Sequence, residues 1–389
     1  ENLIFLDDTK FQLNQDFFDY AFSAKMFNQR FCDLFNQPAR APESQLTQFH
    51  MDIAASLQEV TEETVLKLSR EVISQTGINN LCLAGGVALN CVANGRILRE
   101  QNLDGLWIQP ASGDAGGAVG AALNYYFNVM ENKRSVDGSN DLMQGSYLGP
   151  ESSESEILSM IEIYHAQGEK FDDIELMEKA SNFLINGKVV GWHQGRSEFG
   201  PRALGNRSIL GDARNKKMQK IMNLKIKYRE SFRPFAPAVL EEYANNFFDI
   251  DTSSPYMMLV TKIRDKIKVI DSKADDELFG IEKLNQVRSM VPAITHIDYS
   301  ARIQTVNKNT NPKFHHLIST FHKKTQTPIL VNTSFNVRGE PIVNTAEDSY
   351  KCFMRTEMDV LIIENYIFLK ENQPLFHDEQ NWKEEFELD

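Results

Sequence analysis

Residues 81–118, LCLAGGVALNCVANGRILREQNLDGLWIQPASGDAGGA, contain the same pattern twice: a short apolar run, a glycine-rich turn and a helical segment. Glycine allows the sharp turn that connects a buried strand to the helix after it. This alternation of strand, glycine turn and helix is typical of α/β proteins, so we predict an α/β fold class. The predicted elements are a strand at 81–84, a helix at 87–100, a strand at 106–108 and a helix that begins near Ala118.

Long amphipathic and polar segments predict the organisation of the remaining chain. Residues 43–76 place apolar side chains at roughly helical spacing, and Gly77 is a natural helix stop. Residues 131–156 are rich in Gly, Ser, Asn and charge, which is typical of a linker, and we predict two domains, 1–145 and 146–389. Further predictions are a strand at 3–6 that leads into a hairpin or helix, a helix around 173–185, a strand at 189–192 and a solvated insertion at 262–287.

Composition and charge exclude several classes of protein. A chain of 389 residues with 42% apolar residues can bury a large core, which excludes a disordered chain and a disulfide-stapled miniprotein. With 41 Lys plus Arg against 54 Asp plus Glu, the net charge is −13, which disfavours generic binding to nucleic acid or to anionic membranes. The four cysteines show no CxxC spacing, which predicts reduced thiols and a cytoplasmic protein. No apolar run is long enough for a membrane helix.

The glycine turns form a first candidate site. Gly85 and Gly86 precede a predicted helix, where backbone N–H groups and the helix dipole favour a phosphate. Asp114, in the second turn, is a candidate ligand for a divalent metal that neutralises nucleotide phosphates. The structural alternative is that both are tight turns and that Asp114 caps a helix. Neither turn matches the P-loop or the dinucleotide-binding fingerprint.

An arginine-rich, proline-containing segment forms a second candidate site. Arginine presents a planar fork of donors that matches phosphate or carboxylate oxygens, and the prolines stiffen the backbone that carries it. Residues 332–336, NTSFN, follow an apolar strand, and a strand end with hydroxyl and amide side chains is a common ligand position. The alternative is a solvated basic face paired with the many acids. The basic residues are Arg196, Arg202, Arg207, Arg214, Lys225, Lys227, Arg229 and Arg233.

Six motifs in a fixed order make the chain resemble the O-carbamoyltransferases of the nodulation, tobramycin and cephamycin type. The resemblance implies that residues 1–145 are the C-terminal part of an ASKHA domain (actin- and sugar-kinase-like, RNase H-like). It also implies that residues 146–389 form a YrdC-like α/β domain. The motifs are LCLAGGVALNCVANGRI (81–97), PASGDAGGAVGAAL (110–123), GRSEFGPRALGNRSIL (195–210), KYRESFRPFAPAV (227–239), ARIQTV (301–306) and NTSFNVRGEPIV (332–343).

The same resemblance implies an activity and assigns residues to it. In such enzymes the YrdC-like domain converts carbamoyl phosphate and ATP into carbamoyl-adenylate, and the ASKHA-type domain passes the carbamoyl group to a hydroxyl of a sugar or natural product. Lys227, Arg233, Arg302 and Ser334 match the catalytic positions. Asp114 matches a metal ligand, and the implied cofactors are ATP and a divalent metal, iron or magnesium. The further residues implied for carbamoyl phosphate or nucleotide are Arg202, Gln304, Asn332, Gly85, Gly86 and Asn90.

The chain departs from the family pattern at its start. It has no HxxxH pair to complete a metal site around Asp114, and it lacks an initiator Met, so we expect the C-terminal part of a longer protein. An alternative of another class is a nucleotide- or RNA-binding YrdC-like module with a non-catalytic ASKHA scaffold. A sugar-kinase-like ATPase ranks last, because NTSFN and FRPFAP have no role in it. The expected partners are carbamoyl phosphate, ATP and a hydroxyl acceptor, with no membrane or nucleic acid, and the sequence leaves a homodimer open.

Overall fold

The computed structural model describes residues 2–7, 10–42, 44–135, 141–229, 233–269 and 286–376. The described chain divides into two compact units. One contains the residues up to Leu83 together with Val92–Trp107, and the other contains Ala84–Cys91 and the chain from Ile108 onward. The predicted domain boundary at 145/146 stays a prediction. Within the described ranges, every helix is too short or too polar to span a membrane.

The first unit begins with an antiparallel hairpin, which confirms the predicted strand near residue 3. Residues 48–76 form a single helix that ends at Gly77, whose φ of 66° is the left-handed conformation that glycine tolerates best. Leu66, Leu81 and Ile97 form its small core. The elements are β1 (Ile4–Leu6), β2 (Phe11–Leu13), α1 (Gln29–Phe35), α2 (Gln48–Thr76), β3 (Asn80–Leu83), α3 (Cys91–Glu100) and β4 (Gly105–Ile108), with β3 paired to β4.

The second unit is built on a nine-stranded mixed sheet, which confirms the α/β class. Its helices are α4 (Gly116–Asn124), α5 (Glu154–Tyr164), α6 (Asp173–Ile185), α7 (Met218–Ile221), α8 (Ala244–Phe247), α9 (Pro312–Thr325) and α10 (Ala346–Arg355). Its strands are β5 (Gly168–Lys170), β6 (Val190–His193), β7 (Arg207–Asp212), β8 (Ala236–Leu240), β9 (Leu259–Lys262), β10 (Ser300–Val306), β11 (Ile329–Ser334), β12 (Val360–Ile363) and β13 (Tyr366–Leu369). The spatial order is β5-β13-β12-β6-β7-β11-β8-β10-β9, in which β10 pairs in parallel with β8 and β12 with β6.

The core of this unit lies between the sheet and the helices α6 and α9. Leu176 and Phe321 from the two helices pack with Trp192, Leu210 and Leu330 from the strands, and all five are almost fully buried. The Asp172 side chain accepts from the N–H of Glu175 at 2.9 Å and caps α6, which begins and ends where the sequence predicted.

One predicted helix is interrupted in the structure. Residues 87–100 were expected to be continuous, but Gly86–Leu89 form a 3-10 turn and α3 begins only at Cys91. The break falls at Asn90, whose ψ of 85° is not helical. Residues Gly86–Leu89 therefore form a separate turn rather than the first part of the helix.

The segment predicted as a linker is partly packed into the second unit. Tyr147 Oη donates to the Leu204 carbonyl at 2.8 Å, and the Gly149 N–H donates to the Ser197 carbonyl at 2.9 Å. A Cβ on Gly149 would lie 2.1 Å from Ser197 Oγ, so this glycine permits close packing rather than flexibility.

The predicted solvated insertion at 262–287 is only partly testable, because residues 270–285 lie outside the described residues. Its first part is packed rather than solvated. Ile263 is 2% exposed and Ile267 is 4% exposed. Because charged residues dominate the composition of the segment, the burial of these two isoleucines was not predicted.

Candidate active site

Polar side chains from two strands meet on one face of the large sheet. Arg302 and Gln304 alternate along β10, and Asn332 and Ser334 alternate along β11, so each pair shares a face. β8 runs between these strands and presents alanines opposite Gln304 and Asn332. Because alanine leaves space above the strand, Asn332 Nδ2 reaches across it and donates to Gln304 Oε1 at 2.8 Å.

A loop from the arginine-rich segment closes over this face. Gln304 Nε2 donates to the Leu204 carbonyl at 2.6 Å, and Asn332 Nδ2 donates to the Ala203 carbonyl at 3.2 Å. Gly205 has a φ of 109°, and a Cβ there would lie 2.2 Å from the Phe314 ring, so only glycine fits. These contacts place Arg202 beside the strand ends.

Arg202 and Arg302 form a pair of like charges. Among the described residues, the Arg202 guanidinium makes one long contact, from Nη2 to the Leu89 carbonyl at 3.5 Å, and its buried Nε has no hydrogen-bond partner. Burial, followed by the Arg302 charge, lowers the pKa of Arg202 to about 10. Within the described part of the chain, neither guanidinium forms an ion pair with a carboxylate. Two neighbouring cations without counter-charge are costly, and a bound anion would offset that cost.

Lys227 holds the end of β11 from a neighbouring segment. It follows α7 and the turn Met222–Ile226, and it is 3% exposed. Its Nζ donates to the Ser334 carbonyl at 2.5 Å, Ser334 Oγ at 3.1 Å, the Asn336 carbonyl at 2.8 Å and Asn336 Oδ1 at 2.6 Å. Burial, with the Arg229 charge second, lowers the pKa of Lys227 to about 7. The sequence-predicted residues Lys227 and Ser334 are thus in direct contact, and the protein already supplies acceptors for all three ammonium protons.

A cavity of about 460 Å³ opens beside Asn336. Two carboxyl groups line it, Glu198 and Glu340, and burial raises the pKa of both. Glu198 Oε1 accepts from the N–H groups of Leu204 and Asn206 at 2.6 and 2.9 Å, which organises the loop that carries Arg202. The full lining is Ser197, Glu198, Gly200, Pro201, Arg207, Asn336, Glu340, Pro341, Ile342, Val343 and Asn344.

Sequence reasoning missed Glu198, Asn336 and Glu340 as site residues. Glu198 could have been predicted from the sequence, because it is the only carboxylate in residues 195–210, which contain three arginines. Asn336 lies two positions after Ser334, within a motif that was recognised. No local pattern distinguishes Glu340.

The remaining predicted residues have less defined partners. The Arg233 carbonyl accepts from Asn223 Nδ2 at 2.8 Å, and residues 230–232 of the same motif lie outside the described chain. Gly85 (φ 93°), Gly86 and Asn90 form the turn whose Leu89 carbonyl contacts Arg202. A Cβ at Gly85 or Gly86 would meet no atom within 4 Å, so there is open space beside the turn.

Asp114 does not form a metal centre with the residues described. It is exposed in the turn before α4, and the capping position of that helix belongs to Ala115, without a side-chain hydrogen bond. The described ranges contain no group of three His, Cys, Asp or Glu side chains suited to hold a metal ion. The donor set of the described residues therefore does not fit the implied iron or magnesium.

Comparison with known proteins identifies the family. The family model described as the carbamoyltransferase C-terminus matches residues 181–370, and that of the carbamoyltransferase N-terminus matches residues 1–123. The uncharacterized protein sll1178 of Synechocystis sp. is 54% identical over 392 residues, which cover 100% of this chain and 64% of that protein. Nodulation protein NolNO of Sinorhizobium fredii is 40% identical over 330 residues, which cover 83% of this chain and 45% of that protein.

A more distant likeness exists among solved structures. Full-length HypF in its phosphate- and nucleotide-bound form aligns with 51% of this chain and 22% of its own at 14% identity, with a TM-score of 0.30. That score is too low to define a shared fold. The two family matches, by contrast, leave only residues 124–180 and 371–389 of this chain unmatched. The chain belongs to the carbamoyltransferase family.

Proposed function

We propose that this chain forms carbamoyl-adenylate from carbamoyl phosphate and ATP, as part of an enzyme that carbamoylates a hydroxyl of a sugar or natural product. Water releases inorganic phosphate from carbamoyl phosphate and leaves carbamate. A carbamate oxygen then attacks the α-phosphorus of ATP, and pyrophosphate leaves. In the transfer step the acceptor oxygen attacks the carbonyl carbon, the hydroxyl proton is lost and AMP departs.

The observation that carries the proposal is the pair Arg202 and Arg302. In a chain of net charge −13, these two cations lie together and lack a carboxylate partner among the described residues. Phosphoryl transfer generates charge on phosphate oxygens, and fixed guanidinium groups stabilise that charge. A site of this kind selects a small polyanion.

The neighbouring residues have supporting roles in this proposal. Gln304 and Asn332 hold the Arg202 loop against the sheet through the Leu204 and Ala203 carbonyls. Lys227 fixes the Ser334 hydroxyl and the Asn336 side chain, the second of which lines the cavity. Arg233 is assigned to the same site by its motif alone. We assign ATP to the turn formed by Gly85, Gly86 and Asn90. The assignment of residues 1–145 to an ASKHA-type domain and 146–389 to a YrdC-like domain is part of the same proposal.

The chain spans 64% and 45% of the two curated relatives above, so the activity, acceptor and partners of the whole protein are proposals as well. The resemblance and the match to a nodulation protein favour a small-molecule acceptor. A homodimer stays a prediction.

The test is calorimetric titration of the full chain with carbamoyl phosphate and a non-hydrolysable ATP analogue, alone and together. We expect both ligands to bind, with carbamoyl phosphate affinity reduced about 10- to 100-fold in Arg302→Ala, since a charge-assisted contact is lost. Lys227→Ala should weaken binding through release of the Ser334 loop.

The matched control is Arg214→Ala. Arg214 is an arginine of the same segment whose guanidinium is held by Asp212, with Nη2 at 2.6 Å from Oδ2. Its loss should leave both affinities unchanged. If the folded wild-type chain binds neither ligand, the active-site assignment is wrong. Binding of the nucleotide alone would instead support the nucleotide-binding module.

A further inference from the structure

The wall of the cavity next to Asn336 includes Glu198, and one of its carboxyl oxygens is not used as an acceptor by the described residues. Glu198 Oε1 accepts from three backbone N–H groups, those of Leu204 at 2.6 Å, Asn206 at 2.9 Å and Arg207 at 3.3 Å. These contacts fix the orientation of the carboxyl group. Its second oxygen, Oε2, is buried and has no hydrogen-bond partner among the residues that the structure describes. A buried acceptor without a donor is costly, so its retention suggests that a ligand supplies one.

Glu340 provides the contrast on the same cavity wall. Its Oε2 accepts from the Val337 N–H at 2.8 Å, and the side chain also interacts with the Cys352 thiol. Both carboxyl groups line the cavity and both are partly buried. Of the two, only Glu198 has a buried carboxyl oxygen without a hydrogen-bond partner among the described residues. Glu198 is therefore the residue suited to accept a hydrogen bond from a ligand.

Two segments of the chain contribute residues both to the cavity lining and to the basic site. Asn336 lines the cavity and accepts from Lys227, and Gly200 and Pro201 line it immediately before Arg202. A small ligand that contacts both needs an anionic end for the basic residues and a hydrogen-bond donor at its other end for Glu198. In carbamoyl phosphate that other end is the amino group, the only part of the molecule that donates N–H bonds at neutral pH.

We propose that Glu198 Oε2 accepts a hydrogen bond from the amino group of the carbamoyl moiety and so selects carbamoyl phosphate over acyl phosphates that lack this donor. The inference rests on the proposed function, since it names the residue by which the same site distinguishes its substrate from other anions. Acetyl phosphate is the discriminating probe, because a methyl group replaces the amino group and the phosphate is retained. Glu198 is thus a specificity-determining residue, in addition to ordering the Arg202 loop.

The experiment is titration of the full chain with carbamoyl phosphate, acetyl phosphate and inorganic phosphate. Wild type should bind carbamoyl phosphate about 10-fold or more tightly than acetyl phosphate, because the loss of one hydrogen bond to a charged group lowers the affinity by about that factor. In Glu198→Gln one amide oxygen can still accept from the loop, but an NH₂ donor replaces Oε2. We expect this variant to lose about 10-fold in carbamoyl phosphate affinity and to bind the other two anions within about 2-fold of wild type.

Glu340→Gln is the matched control, since it removes a carboxyl group from the same cavity whose acceptor is already used. It should shift the affinity for all three anions by a common factor and preserve the preference for carbamoyl phosphate. Unchanged inorganic phosphate binding by Glu198→Gln shows that the Arg202 loop is intact.

The titrations distinguish failure of this inference from failure of the proposed function. If wild type binds all three anions equally, or if Glu198→Gln retains the preference, the inference is overturned while the basic site stands, and water is then the donor to Oε2. Reduced binding of the ATP analogue with an unchanged preference would also overturn it, in favour of a nucleotide hydroxyl or amine. If no anion binds to the folded wild-type chain, the proposed function fails and this inference fails with it.

Discussion

Arg207 and Arg202 lie in one segment, and burial lowers the pKa of both to about 10, yet the chain uses them differently. Main-chain acceptors saturate the Arg207 guanidinium. In the part of the chain that the structure describes, Arg202 makes one contact, at 3.5 Å, and its buried Nε has no partner. Saturation of hydrogen bonds, rather than burial or membership of a motif, therefore distinguishes a structural arginine from one that is available to a ligand. The acceptors of Arg207 are the carbonyls of Gln194 at 3.0 Å, Gly195 at 3.1 Å, Asn206 at 3.0 Å, Asn344 at 3.1 Å and Pro150 at 3.4 Å.

The largest effect is expected at the saturated arginine. Arg207→Met keeps much of the side-chain volume but leaves buried carbonyls without donors, so we expect the unfolding free energy to fall by roughly 3–5 kcal/mol. Urea unfolding followed by tryptophan fluorescence measures this, since Trp192 lies in the core of the same unit. Lys225→Met is the control, because its ion pair with Glu357, at 2.5 Å, is exposed and should contribute little to stability. Equal losses in the two variants would contradict the distinction.

The opposite behaviour is expected at the unsaturated pair. Arg302→Ala removes one of two like charges, so the melting temperature without anion should stay the same or rise. Inorganic phosphate should raise the melting temperature of wild type, because it binds only the folded state, and this gain should vanish in the variant as affinity falls about 10- to 100-fold. If Arg302→Ala lowered stability as much as Arg207→Met, Arg302 would be a structural arginine rather than one available to a ligand.

Local sequence patterns predicted the regular elements well. The helix predicted around 173–185 runs from Asp173 to Ile185, and its capping residue, Asp172, directly precedes it in the sequence. The break at Asn90 and the packed glycine at 149 were not predicted. Their causes are a single backbone angle and a contact with Ser197, which is distant in the sequence.

The site was predictable as a set of motifs but not as a geometry. Motif order indicated Arg202, Gln304 and Asn332. The structure brings them together through contacts between residues that are more than a hundred positions apart in the sequence, such as Asn332 and Ala203. Composition cannot show which arginine is saturated or which carboxyl oxygen lacks a donor. The role of each residue is a prediction that the experiments above address.

Lys227 is a third kind of cation: its ammonium group has acceptors for all its protons, and its pKa is low enough for it to lose a proton near neutral pH. Its pKa is about 7 in the folded chain and ~10.4 in an unfolded one, so between these values only the unfolded chain holds the proton. Unfolding free energy should therefore rise with pH, by up to ~1.4 kcal/mol per pH unit between about 7 and 10, and be flat with respect to this group below pH 7. Urea unfolding at pH 6, 7.5 and 9 should show this slope for wild type and not for Lys227→Met. Parallel pH profiles would mean that the four acceptors around Nζ keep it protonated.

The smallest expected effect separates charge from shape at Arg202. Arg202→Lys keeps the positive charge but loses the planar fork and the buried Nε, so a phosphate held by two parallel donors would bind less tightly. We expect affinity for inorganic phosphate to fall by about 10-fold or less, with the melting temperature unchanged, because Arg202 makes only one long contact within the described chain. Arg207→Lys is the matched comparison and should lower the melting temperature, since one ammonium group cannot reach five carbonyls. If Arg202→Lys destabilised the fold as much as Arg207→Lys, Arg202 would be a structural arginine, and the anion would have to be held by other cations.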